Sequence, residues 1–327
     1  MAGSRKERDL PRVSVVMPVY NGGAYVEEAV RSVLGQGFGD FELIAIDDGS
    51  TDGSGGILTG LGEEDGRMRV VRRENRGLVA SLNEGIGMAT GEFVARMDAD
   101  DVCLPERLGR QVDFLDGEKE VAVVGSWMEG IGAEFGRRWE HPADAAVVES
   151  ALVFRSALAH PTVMMRRSLF SEEGFRYDPT ARHVEDLALW MSVAGRHRLA
   201  NVPEVLLKYR VHAGQVSAVY SAEQERRAAG LMVGFIRERL GIEVTAREAE
   251  LHGKLAFSRL ERGREFVEAA DGWLLKLAGE NERVGAFARE AFLRTLVGRC
   301  VSVHRFSEER GVKGGGVPAV FLPYVLQ

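Results

Sequence analysis

Three acidic clusters hold the residues best placed for chemistry. Asp98 and Asp100 stand one residue apart, followed by Asp101, at the end of the apolar run from Phe93 to Met97. Carboxylates at that spacing can reach a common centre once a strand has given way to loop. Hard oxygen donors of this kind suit Mg2+ or Mn2+, which complete their shells with water and substrate phosphate. The same trio would also serve as an acidic cap for a helix near Pro105, where negative charge favours the helix dipole. Asp47 and Asp48 open the loop Asp47-Asp48-Gly49-Ser50-Thr51-Asp52. They can accept a hydrogen bond from a ring imide such as that of uracil or thymine, or simply build a turn and a helix cap. Glu185-Asp186 stands before Leu187, Leu189, Trp190 and Met191, where two carboxylates suit the first turn of a helix.

The neighbouring residues fit a nucleotide site. Tyr20, in Met17-Pro18-Val19-Tyr20-Asn21, offers an aromatic face to a base or else packs at the edge of the core. Arg76, in Glu74-Asn75-Arg76-Gly77, can hold base or phosphate or remain solvated. His212 follows Tyr209-Arg210-Val211 and carries an imidazole suited to a metal or a phosphate. His160-Pro161-Thr162 is a further polar signal.

Strands must deliver these groups to one edge. Val13 to Val19, Phe41 to Ile46, Met68 to Val71, Phe93 to Met97 and Val121 to Val124 read as strands, with helical spacing between them at Val26, Ala29, Val30, Val33 and Leu34 and again at Leu78, Leu82 and Ile86. The glycine-rich stretch Gly53 to Gly62 weakens the second helix, and Pro105 suits the first turn of another. Alternating strand and helix predicts an α/β domain with a mostly parallel sheet, and each acidic cluster falls at the carboxyl end of a strand, where open α/β sheets bind ligands. After about Val219 the pattern is helical, with its clearest stripe at Val284, Phe287, Ala288, Ala291, Phe292, Thr295 and Leu296. The expected organisation is a tail over 1–10, a catalytic domain over 11–218 (a nucleotide-binding half at 11–125 and an acceptor half at 126–218) and a helical region over 219–327.

Composition narrows the classes. The 327 residues are 45% hydrophobic and 28% charged, with 9 prolines against 39 glycines, as in a globular chain. A net charge of -7 gives no positive field for nucleic acid or anionic lipid. Cys103 and Cys300 form no CxxC or Cys/His motif, and the charged N-terminus has no signal-peptide pattern, so a cytoplasmic setting is expected. The apolar tail from Val317 to Leu326 is expected to dock on its own domain, with peripheral membrane or partner contact as the alternative.

Taken in order, Val15-Val16-Met17-Pro18-Val19-Tyr20-Asn21, Asp47-Asp48-Gly49-Ser50-Thr51-Asp52, Asn75-Arg76-Gly77, Asp98-Ala99-Asp100-Asp101 and Glu185-Asp186 closely resemble glycosyltransferase family 2, the inverting enzymes of GT-A fold. The resemblance covers roughly residues 11 to 215. It implies a Rossmann-like α/β domain in which Pro18, Tyr20, Asn21, Asp47 and Asp48 line the nucleoside pocket, with Arg76 beside it. It further implies that Asp98 faces the ribose or donor sugar, that Asp100 holds a divalent metal (Mn2+ or Mg2+), with His212 completing its shell or touching phosphate, and that Asp186 is the catalytic base. His160-Pro161-Thr162 would lie on the acceptor side. The donor would be a nucleoside-diphosphate sugar, UDP-sugar favoured, and the acceptor a saccharide or lipid-linked saccharide. The family often has an aromatic residue after the Glu-Asp pair; Leu187 stands here and would alter the acceptor wall. The rival readings are a non-catalytic nucleotide-sugar-binding protein and a nucleotidyltransferase. The latter calls for a basic triphosphate loop, whereas Asn21-Gly22-Gly23-Ala24-Tyr25 has neither lysine nor arginine.

Overall fold

The computed structural model describes residues 10–212, 221–308 and 316–325. Its described residues fall into two compact units, one within Met1–Ala143 and Leu158–Gln215 and the other within Asp144–Ala157 and Val216–Gln327.

The first unit is built on a nine-stranded sheet. β1 (Val13–Val19), β2 (Phe41–Asp47), β3 (Met68–Arg72) and β4 (Phe93–Arg96) are joined in parallel in the order 3-2-1-4. In β1, β2 and β4 the apolar side chains are buried, with Val15, Leu43, Ile44 and Val94 at most 2% exposed, as expected for parallel strands covered on both faces, whereas Val70 and Val71 of the edge strand β3 are half-buried. β5 (Val102–Cys103), β6 (Val121–Gly132), β7 (Arg138–Trp139), β8 (Met164–Arg166) and β9 (Arg198–Val211) extend it. There β8 lies antiparallel to β4 and β6, β5 antiparallel to β9, and β6 parallel to β9. β6 runs well beyond the predicted Val124, because pairing with β9 continues to Gly132↔Val211 and overrides the poor strand propensity of Gly125, Ser126 and Gly130.

The glycine-rich second helix forms, over Ser54–Glu64, and Gly55 shows why one of its glycines is there. A Cβ at Gly55 would sit 2.6 Å from the Asp47 Oδ2, so the helix can approach the end of β2 only without a side chain. Gly55→Ala should therefore cost about 1–3 kcal/mol through overpacking, read as a lower denaturant midpoint at unchanged m-value. Pro105 lies just before its helix, Arg107–Gly117, rather than in its first turn. Arg107 is fully buried there, donating to the Arg96 carbonyl at 2.7 Å.

The second unit contains the helices Ala145–Ala151, Ser221–Leu240, Ala246–Ala256, Arg264–Val284 and Arg289–Glu308. The predicted stripe from Val284 to Leu296 is divided between two of them. Gly285, at φ 69°, ends one helix in the left-handed region, leaving Val284 exposed, while Phe287 and Phe292 stack in the core with ring centroids 4.7 Å apart. Buried His252 is held neutral, its Nε2 donating to the Val153 carbonyl at 2.7 Å and its Nδ1 accepting from the Trp273 indole at 3.1 Å. Burial lowers its pKa to about 4. Near the C-terminus, Ala319–Tyr324 forms a 3-10 helix that buries Phe321 and exposes Val320 and Leu322. Among the described residues, no helix is long and apolar enough to cross a membrane.

Candidate active site

The site lies in the first unit, at the carboxyl ends of β1, β2 and β4. Parallel pairing brings Val19 beside Asp47, so the loops after β1 and β2 leave the sheet together. They are stitched to each other: the Asn21 N–H donates to Ser50 Oγ at 3.0 Å, Asn21 Oδ1 accepts from the Thr51 N–H at 2.9 Å, and the Gly23 N–H donates to Asp52 Oδ2 at 2.9 Å. Asn21 makes these contacts from the left-handed region, φ 53°, which asparagine tolerates better than most residues. Tyr20 projects beside them, 57% exposed, while Pro18 is half-buried within β1.

Asp47 and Asp48 are both buried and both hydrogen-bonded. Asp47 accepts from the Ser50 N–H at 2.9 Å and from Arg72 Nε at 3.0 Å. Asp48 accepts from the backbone N–H groups of Arg76 and Gly77, each at 2.8 Å, and pairs with Arg73. Arg73 also meets Glu84 at 2.7 Å. Asp48 thus anchors the loop 73–77, in which the Arg76 side chain is exposed.

The second acidic cluster is not a helix cap: β5 intervenes, and the helix after it begins at Arg107 with no side-chain cap. Instead Asp98, Asp100 and Asp101 converge, with one carboxylate oxygen of each within 4.8 Å of the others. Asp98 is paired through both oxygens with Arg96, a buried arginine that ends β4. His212 Nε2 lies 3.0 Å from Asp100 Oδ2, and Arg210 donates from Nε to the Asp100 carbonyl at 2.7 Å. Asp101 is fully buried; its Oδ1 accepts from the Arg210 N–H at 2.8 Å, but its Oδ2 has no hydrogen-bond partner among the described residues. Burial, with Asp98 and Asp100 nearby, pushes the Asp101 carboxyl well above the usual range. Converging carboxylates with an orphan buried oxygen and an adjacent imidazole form a donor set that fits a hard divalent cation.

Glu185 and Asp186 open the helix Glu185–Ala194, after His183 at φ 67°. A helix N-terminus should lower a carboxyl pKa. Here burial wins: Asp186 is raised to about 6, with the Glu185 charge adding to the effect, and Glu185 is raised by burial too. Both sense the Arg96 charge, and Glu185 also senses Asp98, so the helix start and the acidic cluster share one electrostatic neighbourhood. Tyr177, which senses the charges of both carboxylates, is joined to His160 by a 2.8 Å hydrogen bond between Tyr177 Oη and His160 Nε2. Burial raises the Tyr177 phenol and lowers the His160 imidazole well below its ordinary pKa, with Arg96 assisting the latter, so both stay neutral.

Sequence reasoning missed Arg96, Arg73, Tyr177 and Asp101's distinct burial. Arg96 had a readable signal: a cation closing the apolar strand Phe93–Arg96 two residues before Asp98. Arg73 and Tyr177 had none, since their partners are remote in sequence.

A mixed α/β sheet with carboxylates gathered at its strand ends is a framework in which ligands bind in the crevice beyond the strand ends. The pattern of glycosyl transferase family 2 matches residues 14–181, a span that ends before Glu185. An uncharacterised glycosyltransferase of Haemophilus influenzae is 31% identical over 72% of this chain and 77% of its own. The chain belongs to glycosyltransferase family 2 and is a glycosyltransferase. Its fold is GT-A with C-terminal helices. The structure of S. aureus TarS 1-349 with UDP-GlcNAc superposes with a TM-score of 0.60 at 18% identity, covering 90% of this chain and 92% of that one. The mannosyltransferase PcManGT from Pyrobaculum calidifontis, in complex with GDP-Man and Mn2+, gives 0.55 at 20% identity, covering 97% and 85%.

Proposed function

We propose that this glycosyltransferase moves a sugar from a nucleoside-diphosphate sugar, UDP-sugar favoured, to a hydroxyl of a saccharide or lipid-linked saccharide, with inversion at the anomeric carbon. The observation that carries the reading is the convergence of Asp98, Asp100 and Asp101 near an Asp186 held at about pKa 6. The TarS complex with UDP-GlcNAc and the PcManGT complex with GDP-Man and Mn2+ support a nucleotide-sugar donor and a divalent metal.

In this reading Pro18, Tyr20, Asn21, Asp47 and Asp48 form the base and ribose wall. Asp48 acts by fixing the backbone at Arg76 and Gly77. Asp98, oriented by Arg96, faces the donor sugar. Asp100 and His212 would hold Mn2+ or Mg2+, which when bound offsets the charge developing on the departing diphosphate. Asp186 accepts the proton of the incoming hydroxyl, whose nucleophilicity rises as the proton leaves. Attack opposite the leaving group needs one base and no covalent sugar-enzyme intermediate, so no second glycosidase-like carboxylate is required. A carboxylate able to meet a ring imide and an aromatic face at Tyr20 underlie the choice of UDP, although thymine offers the same imide.

The test is a thermal shift across UDP, dTDP, GDP and CDP with and without Mn2+. The expected result is the largest metal-dependent rise with UDP. Equal shifts with all four, or none, would contradict the assignment of the base wall. Donor binding without cleavage or transfer to any saccharide acceptor would favour a nucleotide-sugar-binding protein over a catalyst.

A further inference from the structure

A second polar cluster lies in the helical unit, and nothing in the transfer reaction uses it. The helices Arg264–Val284 and Arg289–Glu308 are joined by a short turn and run back to back, so Asn281 meets Phe287 near the turn while Asp271 meets Cys300 and His304 farther along. Cys300 and His304 are four residues apart and so share one helix face. Cys300 is fully buried and His304 is 5% exposed.

We infer that Asp271, Cys300 and His304 form a binding site for a transition-metal cation of the Zn2+ class, fastening the two helices together. The three donors differ from those of the Asp98–Asp101 cluster: a thiol, an imidazole and one carboxylate select a borderline metal rather than Mg2+. Spacing supports it. Zinc bonds of about 2.3 Å to sulfur and about 2.0–2.1 Å to nitrogen or oxygen place tetrahedral neighbours roughly 3.5 Å apart for sulfur–oxygen and roughly 3.3 Å for nitrogen–oxygen. Cys300 Sγ lies 3.4 Å from Asp271 Oδ1, and His304 Nε2 lies 3.0–3.1 Å from the two Asp271 oxygens. Both spacings fall within a few tenths of an ångström of the metal-bridged ones, and all three donor atoms lie within 4.8 Å of one another.

A reactive cysteine is a poor account of the same residues. Burial and the Asp271 carboxylate raise the Cys300 thiol, which disfavours a free thiolate. A bound cation reverses that balance: the thiol releases its proton to solvent as the metal–sulfur bond forms. Ser307, three residues past His304 on the same face, is buried with an Oγ that has no hydrogen-bond partner among the described residues.

The experiment uses the full chain, stripped of metal with a chelator and titrated with Co2+ and then Zn2+ in the absence of nucleotide. About one equivalent of Co2+ should give a near-ultraviolet sulfur-to-cobalt absorption band, displaced by Zn2+. The band should persist in Cys103→Ser and Asp100→Asn and vanish in Cys300→Ser, while His304→Ala shifts and weakens it. Zn2+ should raise the melting temperature of the wild type and not that of Cys300→Ser. A wild-type chain that gives no thiolate band overturns the inference without recourse to any variant. So does a band that survives in Cys300→Ser or is lost in Cys103→Ser; circular dichroism establishes that each variant is folded.

Discussion

Asp186→Asn should lower sugar transfer by about 10²–10⁴-fold, the usual contribution of a positioned general base, while donor binding and its Mn2+ dependence stay near wild type. The side chain keeps its shape and loses only the ability to accept a proton. The same variant should be more stable than the wild type at neutral pH. The Asp186 carboxyl is raised to about 6 by burial, so the folded state holds the proton more tightly than the unfolded state. Its destabilising contribution is absent below the unfolded pKa, near 3.8, and grows as the pH rises to about 6. Asparagine carries no such charge. The variant should melt a few degrees above wild type at pH 7.5, with the difference closing towards pH 4. A variant that melts lower at pH 7.5, or keeps near-normal transfer, would show that Asp186 is a structural acid.

Asp100→Asn should fail differently. Losing a carboxylate from the cluster should cost about 10²–10³-fold in transfer, as removal of one group stabilising leaving-group charge commonly does, and the Mn2+ dependence of donor binding should go with it. His212→Ala should lower metal affinity by roughly 10–100-fold, because its Nε2 stands 3.0 Å from Asp100. Isothermal titration of Mn2+ with UDP present separates the variants. Asp186→Asn should titrate like wild type, Asp100→Asn should show no saturable metal binding, and His212→Ala should fall between. Undiminished Mn2+ binding by Asp100→Asn would remove that residue from the metal's shell.

The parallel half of the sheet was readable because β1, β2 and β4 are β-branched or apolar runs buried on both faces, and each ends where polarity returns abruptly. That also made the acidic clusters recognisable as strand-end groups. Patterns broken by tertiary demands were not readable. β6 continues through Gly125, Ser126 and Gly130 because β9 pairs with it, a contact between segments far apart in the chain. The glycines of Ser54–Glu64 look like helix breakers, yet Gly55 is required by a buried aspartate packed against the helix. The stripe across Gly285 has the correct period but ignores the left-handed residue that divides it. Within the site, residue types identified the carboxylates, whereas Arg96 pairing with Asp98, the loop held by Asp48 and the Tyr177–His160 bond depend on which strand ends meet. The segment Ala145–Ala151 follows β7 in sequence but groups with the C-terminal helices, a partition no local pattern signals.

The most direct test of a base at Asp186 is the pH dependence of single-turnover donor consumption at saturating Mn2+ and acceptor. Ionised carboxylate is the active form, so the rate should rise about tenfold per pH unit at low pH and level off above about 6, the value set by the buried position of Asp186. The limb should persist in Asp98→Asn, which removes a neighbouring carboxyl that burial also raises to about 6. A rate flat from pH 5 to 7 in a folded, metal-loaded enzyme, or a limb abolished by Asp98→Asn, would contradict proton acceptance by Asp186.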